Sequence, residues 1–402
     1  MLLGMPIILR NLTFGTLLWI SALLPSQANE SSLSHLPAVL QKHIESNEVA
    51  GAVTLVAKNG QIVAHHAVGH ADLTRKKIMT VENMFWIASM TKPITAVAVM
   101  MLVEEGHLSI DDPVQQYLPE FKDPWLVESK TKASMQLIRP HRKITIRDLL
   151  THTSGLDSVP TPRYDTTLGE LAAAYGQKPL KFQPGSKWSY SNSGINTLGR
   201  IIEVVSGKDY GHFLQERIFT PLQMIHTTFW PTDYQVARIA KSYRQKEKEA
   251  ELSETSIYRI PEGLTDRHRV PWPAGGLFST AEDMHRFYQM MLNGGEWNGH
   301  RLIAESTVQA MTQTQTGNIK TGFTPGMSWG LGFQVVKTPQ GVTEMLSKGT
   351  FGHGGAYGTQ SWADPATQTV YILMIQRSGL ANGDASAIRT TFQSFAATAL
   401  SQ

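Results

Sequence analysis

The chain has 402 residues, of which 41% are hydrophobic and 17% are charged, so it is long enough to bury one large core or two closely joined ones and is not generally disordered. Its 36 basic and 33 acidic residues give a formal charge of +3, which is too balanced to indicate a nucleic-acid or anionic-membrane partner. The chain contains no cysteine, which excludes disulfides, thiolate metal sites and a cysteine nucleophile.

Residues 1–28 have the composition of a secretory signal peptide. Arg10 precedes an apolar stretch over Thr13–Leu24, and Ser26-Gln27-Ala28 forms a small-residue cleavage site. The apolar stretch is shorter than the ~20 residues of a membrane-spanning helix, and no later segment is apolar enough to span a bilayer. We therefore expect an exported protein, periplasmic or secreted, with Asn29 as its first mature residue and no stable membrane span. An uncleaved N-terminal anchor is the alternative.

Strands are predicted near both ends of the mature chain. An amphipathic helix over Leu33–Ser46 is followed by apolar, β-branched runs at Ala52–Val56 and Ile62–Val68, which flank the hairpin signal Asn59-Gly60. A closing helix is predicted from about 385 to 400. Three more strands are predicted before it, over Trp329–Val336, Ala356–Trp362 and Val370–Ile375.

The middle of the chain is mostly helical, with helix-start signals such as the capping pair Thr145 and Asp148. Two polar segments of mixed charge, Lys122–Lys143 and Lys241–Arg269, are predicted to be solvated excursions. We therefore expect an α+β fold, an α/β sandwich in which an antiparallel sheet built from both chain ends is flanked by helices. A single domain over 29–402 would contain a sheet lobe (about 29–80 and 325–402) and an inserted helical lobe (about 81–324), with the site in the cleft between them.

The pattern Ser-x-x-Lys occurs twice, at Ser89-Met90-Thr91-Lys92 and at Ser129-Lys130-Thr131-Lys132. The second copy lies in a polar, lysine-rich stretch with no apolar helix behind it, which favours a solvated loop. The first copy precedes Ile94–Val103, which is almost wholly apolar and is typical of a helix buried on every side. Pro93 is tolerated only near a helix start, so residues 89–92 are expected to form about the first turn.

Ser89 and Lys92 have the chemistry of a nucleophile and its base. Residues three apart share a helix face, so the Lys92 amine can reach the Ser89 hydroxyl. Burial favours the neutral amine, which can then take the serine proton. The Ser89 N–H, at the positive end of the helix, is free to bond an oxyanion. The alternative is a serine cap beside a lysine that extends to the surface.

Two further motifs contain candidate site residues. In Tyr190-Ser191-Asn192, ahead of a predicted helix, the phenol can relay a proton and the Asn192 amide can hold a substrate carbonyl or steady Lys92; a packed tyrosine and an asparagine cap are the alternatives. In His353-Gly354-Gly355 the glycines allow backbone to approach a ligand at a strand entrance, and the Ala356 N–H is a candidate second oxyanion donor. An ordinary glycine-rich turn is the alternative here.

In this order, the three motifs resemble the active-site elements of the serine β-lactamase and penicillin-binding-protein superfamily. The resemblance is closest to the class C β-lactamase-like branch, which includes family VIII carboxylesterases, D-alanyl-D-alanine carboxypeptidases and D-aminopeptidases. The segments 144–156 (ITIRDLLTHTSGL) and 274–284 (AGGLFSTAEDM) strengthen it. The resemblance implies the β-lactamase/transpeptidase-like fold, with Ser89 as the acylated nucleophile and Lys92 and Tyr190 as proton-handling partners. It also implies Asn192 as a substrate or lysine contact, and His353, Gly354, Gly355 and Ala356 as the opposite wall.

The sequence departs from this family at His353, where many β-lactamases of the branch have a lysine whose positive charge binds a substrate carboxylate. The ordinary pKa of histidine is ~6.5, so the ring is cationic only at a pH below that value. It therefore binds a carboxylate more weakly at neutral pH than a lysine does. We expect a serine hydrolase that acts through an acyl-enzyme on a small ester, β-lactam or amide. A D-amino-acid peptidase or DD-carboxypeptidase acting on cell-wall peptides is one alternative, and a non-catalytic peptide- or penicillin-binding protein is another.

No cofactor or metal is expected. His65, His66 and His70 cluster near the first hairpin, but no carboxylate or further ligand pattern accompanies them. The expected partners are small-molecule ester, β-lactam or D-amino-acid peptide substrates, without nucleic acid, and the sequence does not indicate an oligomeric state.

Overall fold

The computed structural model describes residues 32–160, 163–247, 250–258, 260 and 263–401, so the predicted signal peptide lies outside the described residues. The helices are α1 (Leu36–Glu45), α2 (Thr91–Glu104), α3 (Ile146–Leu150), α4 (Leu168–Gly176), α5 (Asn192–Ser206), α6 (Tyr210–Leu214), α7 (Asp233–Val236), α8 (Ala281–Leu292), α9 (Glu305–Thr312) and α10 (Ala387–Ser401). The strands are β1 (Gly51–Lys58), β2 (Gln61–Asp72), β3 (Lys77–Ile78), β4 (Phe85–Trp86), β5 (Leu126–Lys130), β6 (Met135–Ile138), β7 (Tyr243–Gln245), β8 (Leu252–Glu254), β9 (Phe278–Ser279), β10 (Glu296–Trp297), β11 (His300–Arg301), β12 (Met327–Trp329), β13 (Gln334–Val336), β14 (Phe351–Gly354), β15 (Gln360–Asp364), β16 (Thr369–Met374) and β17 (Arg377–Ser378).

The main sheet has eight strands in the order β12-β13-β14-β15-β16-β1-β2-β3, and its paired strands are antiparallel. Asn59 and Gly60 close the first hairpin with φ values of 51° and 81°, as a two-residue type I′ turn requires. At the centre, β1 pairs with β16, which places Val53 opposite Met374. The predicted α+β fold, with an antiparallel sheet built from both chain ends, is confirmed.

Side chains alternate across the sheet and create two buried layers. In β1, Val53 and Leu55 join the core beneath the helical middle of the chain, whereas Ala52 and Val56 join the core beneath α1 and α10. Helix α8 packs on β16, β15 and β1, and α1 and α10 pack on each other and against the sheet. The sheet therefore lies between two helical layers.

Two strand predictions near the C-terminus are wrong. The segment Trp329–Val336 is a hairpin rather than one strand, because β12 ends at Trp329 and the chain turns through Gly332, with φ 83°, before β13. The segment Ala356–Trp362 is mostly a turn. Here β14 ends before Ala356, Gly358 has φ 86°, and the strand resumes only at Gln360. In both places a glycine in the left-handed region reverses the chain inside an apolar run.

The two polar segments differ from each other. Lys122–Lys143 contains the hairpin of β5 and β6, whose side chains are mostly exposed. Lys241–Arg269 was predicted to be solvated as well, which is wrong for part of it, because Tyr243, Ile260 and Arg269 are buried. Strand β7 pairs with β17, beside the main sheet, and this pairing brings the segment onto the body of the protein.

Within the described ranges, no helix has the length and apolar character needed to cross a bilayer. Those ranges also contain no group of three or more histidine, cysteine, aspartate or glutamate side chains arranged to hold a metal ion.

Candidate active site

The Ser89 hydroxyl is presented at the start of a buried helix. A 3₁₀ turn over Ala88–Met90 precedes α2, so the α-helix begins at Thr91, shortly after the start that the sequence predicts. Ala88 has φ 45°, in the left-handed region that residues with a Cβ seldom adopt. Ser89 is partly exposed, whereas its neighbours Ala88 and Met90 are buried. The turn therefore offers the hydroxyl to the groove.

The Lys92 amine lies directly behind this hydroxyl. Its Nζ is 3.0 Å from Ser89 Oγ and 2.6 Å from the Ala274 carbonyl oxygen, and the side chain is 0% exposed. Burial lowers the pKa of Lys92 well below its usual range. No carboxylate forms an ion pair with it in the described part of the chain. The alternative of a lysine that extends to the surface is therefore wrong, and the geometry favours a neutral amine able to accept the serine proton.

Tyr190 completes a compact group with this pair. Its ring centroid is 4.6 Å from Lys92 Nζ, and its phenol interacts with the Ser89 hydroxyl. Burial raises the pKa of Tyr190, so the phenol keeps its proton at neutral pH. The His152 ring packs on it at a centroid distance of 4.6 Å and accepts a 3.2 Å hydrogen bond from Ser191 N–H. His152 thus holds the Tyr190 loop in place.

Asn192 is the first residue of α5 and lines the groove beside Ser89 and Asn196. The alternative of Asn192 as the helix cap is wrong, because Ser191 caps α5 by accepting a 3.1 Å hydrogen bond from Gly194 N–H. Asn192 is exposed and lines the groove, where its side chain can contact a substrate.

His353 lies in the opposite wall, near the end of β14 rather than at a strand entrance. The ring is 1% exposed, and its Nδ1 donates to the Gly354 carbonyl oxygen at 2.6 Å, while Nε2 has no partner among the described residues. Burial, together with the nearby Lys92, lowers the pKa of His353 to about 4. The imidazole is therefore neutral at physiological pH, which removes the positive charge that a lysine would supply there.

The glycines of this motif allow two backbone segments to touch. A Cβ on Gly355 would lie 2.0 Å from Thr359 Oγ1 and 2.6 Å from the Ile87 carbonyl oxygen, so only glycine fits there. This contact holds the end of β14 against the segment that contains Ser89. Ala356 follows as an exposed residue that lines the groove together with Ser89. Ser89 and Ala356, whose backbone N–H groups are the predicted oxyanion donors, therefore line the same groove.

Two pockets meet at Ser89 and Ala356. The acyl pocket, as we call the smaller one, has a volume of about 120 Å³ and mostly apolar walls: Trp86, Ala88, Asn192, Asn196, Tyr258, Ile260, Trp272, Ala274 and Gly275. The leaving-group pocket has a volume of about 300 Å³ and is lined by Tyr190, Phe323, His353, Gly354, Gly355, Ala381, Asn382, Gly383 and Asp384. The described residues that line them include no lysine or arginine.

The structure brings together the residues that the sequence predicts for the site: Ser89, Lys92, Tyr190, Asn192, His353, Gly354, Gly355 and Ala356. It leaves Ser129 on the exposed hairpin. Sequence reasoning missed Tyr258, Ile260, Trp272, Phe323 and Asp384 as wall residues. It also assigned no role to His152 and Ala274, although both lie inside the two segments that strengthened the family resemblance.

The fold and this group of side chains together define the class of the protein as a serine hydrolase. A model described as Beta-lactamase matches residues 36–393, and the chain belongs to that family. Protein Rv1367c of Mycobacterium tuberculosis (strain ATCC 25618 / H37Rv) is 31% identical over 379 residues, 87% of this chain and 91% of that protein. Esterase EstB of Burkholderia gladioli is 28% identical over 377 residues, 86% and 90% of the two chains. The solved structure of "EstCE1, a hydrolase with promiscuous acyltransferase activity" has a TM-score of 0.75 and 24% identity, covering 94% of this chain and 100% of that one.

Proposed function

We propose that this chain is an exported carboxylesterase that cleaves small, uncharged or cationic esters through an acyl-enzyme on Ser89. One observation carries the proposal: the buried Lys92 Nζ is 3.0 Å from Ser89 Oγ and has no carboxylate partner in the described part of the chain. A buried neutral amine at this distance is a base for the serine hydroxyl.

In the proposed mechanism, Lys92 takes the Ser89 proton as Oγ attacks the ester carbonyl carbon. The N–H groups of Ser89 and Ala356 stabilise the oxyanion of the tetrahedral intermediate. Collapse of the intermediate breaks the bond to the leaving oxygen, which receives a proton from the Tyr190 phenol, and Lys92 returns its proton to the tyrosine. Water then attacks the acyl-enzyme by the same relay and releases the acid.

The size of the acyl pocket favours a short acyl group. A volume of about 120 Å³ is equivalent to roughly four water molecules, which corresponds to an acetyl to butyryl chain. The walls formed by Ile260, Trp272 and Trp86 are apolar, so they stabilise an alkyl chain through burial of its surface.

The electrostatics favour an ester over substrates that carry a carboxylate beside the scissile bond. β-Lactams and D-alanyl-D-alanine peptides carry such a carboxylate. The walls contain a neutral His353 and the acidic Asp384, and no lysine or arginine among the described residues. β-Lactamase, DD-carboxypeptidase and D-amino-acid peptidase activities are therefore the weaker alternatives. A non-catalytic binding protein is weaker still, since a binder has no use for the Lys92 base. The relative EstB, by its name an esterase, supports the same choice.

A panel of three substrates tests the proposal: p-nitrophenyl acetate, nitrocefin and a D-Ala-D-Ala peptide, each with the mature protein and its Ser89→Ala variant. We expect Ser89-dependent turnover of the ester at a rate well above that of the other two. Faster turnover of nitrocefin or of the peptide would overturn the ester assignment. Absence of turnover with all three would favour the non-catalytic alternative.

We also propose that residues 1–28 are a cleaved signal peptide and that the mature protein, 29–402, is periplasmic or secreted. The composition of the segment supports this: Arg10, the apolar stretch and the Ser26-Gln27-Ala28 cleavage site. N-terminal sequencing of the protein from periplasmic and medium fractions tests it. We expect Asn29 as the first residue, and a full-length protein retained with membranes would contradict cleavage.

The division of the mature chain into two lobes, with boundaries at about 80 and 325, is a proposal as well. The sheet strands β1–β3 and β12–β16 lie outside these boundaries, which supports it.

A further inference from the structure

The leaving-group pocket combines an aromatic surface with an acid. The rings of Tyr190 and Phe323 meet edge to face with centroids 5.0 Å apart, and the Phe323 side chain is 42% exposed, at the pocket mouth. Asp384 lines the same pocket and is 8% exposed. Aromatic faces attract cations through their quadrupoles, and a buried carboxylate does so through its charge.

The hydrogen-bond partners of the Asp384 carboxylate are neutral. Its Oδ1 accepts a 3.0 Å hydrogen bond from Gln360 Nε2, and Oδ2 accepts one of 3.1 Å from Gln334 Nε2; both donors are neutral amides. No lysine, arginine or histidine forms an ion pair with it in the described ranges. The buried Arg389 interacts electrostatically with the Asp384 carboxylate and donates to the backbone carbonyl oxygen of Asp384 at 2.6 Å, but it does not line the pocket.

The negative charge of Asp384 reaches the reacting groups. It acts to raise the pKa of both Tyr190 and His353, in the second case against the larger effects of burial and of Lys92. No lysine or arginine lines the pocket among the described residues, so a cationic ligand beside Asp384 meets a carboxylate and no like charge from the walls.

One side chain links the backbones of the two loops that contribute the acid and the aromatic ring. Asn382 Nδ2 donates to the Phe323 carbonyl oxygen at 2.9 Å, and Asn382 Oδ1 accepts from Asp384 N–H at 3.0 Å. Phe323 and Asp384 lie far apart in the sequence, so this bridge assembles the pocket from two separate loops.

We propose that the leaving-group pocket binds a positively charged ammonium group, so that the preferred esters carry an amine or quaternary ammonium on the alcohol side. This inference rests on the proposed function, in which Tyr190 protonates the leaving group and therefore marks the alcohol side. The observation behind it is the juxtaposition of Tyr190, Phe323 and the Asp384 carboxylate around one cavity of about 300 Å³, whose described walls contain no lysine or arginine.

Three acetyl thioesters of matched size test the proposal. They are acetylthiocholine, its neutral isostere S-(3,3-dimethylbutyl) thioacetate and the anionic 3-(acetylthio)propionate. In each case Ser89 Oγ bonds to the acyl carbon, the C–S bond breaks, and the sulfur leaves with a proton from Tyr190. The chain has no cysteine, so the released thiol can be followed with a thiol reagent without background from the protein.

We expect kcat/KM to be about tenfold higher for acetylthiocholine than for the neutral isostere, and lowest for the anion. Equal values for the cationic and neutral thioesters would overturn the ammonium proposal and leave the proposed hydrolase function intact. Failure to turn over all three, together with p-nitrophenyl acetate, would instead be a failure of the proposed function.

Two variants each remove one of the two features that would bind an ammonium group. Asp384→Asn removes the charge, and Phe323→Leu removes the aromatic face from an exposed position where folding is tolerant. Each is expected to lower the cation preference, measured as the ratio of kcat/KM for acetylthiocholine to that for the neutral thioester, several-fold. Glu128→Gln, on the exposed strand β5, is the control for an equal change in net charge. If Asp384→Asn misfolds, Phe323→Leu still decides, and an undiminished preference in it would contradict the proposal.

Discussion

The two Ser-x-x-Lys segments of this chain have the same residue spacing but differ in secondary structure and in burial. Lys92 is buried at the start of α2 with its Nζ 3.0 Å from Ser89 Oγ. Ser129 lies on the exposed strand β5, where its Oγ donates a 3.4 Å hydrogen bond to Gln136 Oε1, and Lys132 follows in the connection to β6, also exposed.

This difference shows what a serine and a lysine at this spacing need in order to form a reactive pair. Residues three apart lie on the same face of a helix, whereas along a strand they point to opposite sides. Burial then lowers the pKa of the Lys92 amine, whereas Lys132 stays in solvent. Secondary structure brings the two groups together, and burial of α2 makes one of them a base.

Removal of the two hydroxyls should separate the segments most strongly. We expect Ser89→Ala to lower kcat for p-nitrophenyl acetate on the order of 10⁴- to 10⁶-fold, because no other serine and no threonine lines the groove among the described residues. Ser129→Ala should leave kcat unchanged. A large loss in Ser129→Ala, or residual turnover near wild type in Ser89→Ala, would reverse the assignment.

Replacement of Lys92 should lower activity and raise stability, whereas replacement of Lys132 should change neither. We expect Lys92→Met to lower kcat by ~10³-fold, because the base is lost, and to raise Tm at pH 7. The pKa of Lys92 is lowered on folding, so the unfolded state binds more protons at neutral pH, and wild-type stability rises with pH up to the ordinary lysine pKa. Melting curves at several pH values should show this rise in wild type and less of it in Lys92→Met. The Lys132→Met variant, as control, should match wild type in rate and Tm, and a lower Tm in Lys92→Met would contradict a neutral buried amine.

Loss of the phenol should have an intermediate effect. In Tyr190→Phe the ring still packs on His152, so the fold is retained, while proton delivery to the leaving group is lost. We expect kcat for an ester with a poor alkyl alcohol leaving group to fall by ~10²-fold. The loss should be smaller for p-nitrophenyl acetate, whose leaving group needs little protonation. Equal losses for both esters would argue against proton donation by Tyr190.

The pH profile should report the lowered pKa of the amine. Protonated Lys92 is inactive as a base, so kcat/KM should rise about tenfold per pH unit at low pH and then level off. Because the pKa of Lys92 lies well below its usual range, the plateau should begin well below the ordinary lysine pKa of ~10.4. A rate that still climbs above pH ~10, as a solvated lysine requires, would contradict burial as the activating influence. Blank-corrected hydrolysis of p-nitrophenyl butyrate provides the measurement.

Enlarging the acyl pocket should have the smallest effect. Ile260→Ala removes part of an apolar wall, so longer acyl chains gain space while short chains lose contact. We expect the ratio of kcat/KM for p-nitrophenyl hexanoate to that for the acetate to rise roughly tenfold. An unchanged ratio would show that the acyl chain lies elsewhere.

Sequence reasoning succeeded where structure is local or periodic. The proximity of Ser89 and Lys92 follows from helix geometry, and the strands β1 and β16 follow from their apolar, β-branched runs. The hairpin at Asn59-Gly60 follows from its turn residues.

It failed where distant segments decide the outcome. The apolar run Trp329–Val336 contains a turn because β13 pairs back on β12, and no local signal other than its glycines marks that turn. Ile260 and Asp384 reach the groove from loops whose paths depend on tertiary packing. The polar composition of Lys241–Arg269 predicted a solvent-exposed segment, although Ile260 within it is buried and lines the acyl pocket.

Covalent trapping tests most directly the claim that the buried helix start, and not the exposed hairpin, makes the reactive serine. The mature protein is treated with a fluorophosphonate and digested, and the modified peptide is mapped by mass spectrometry in wild type and in Lys92→Met. We expect one label, on Ser89, that forms much more slowly in the variant. A label on Ser129, or none on Ser89, would contradict the account.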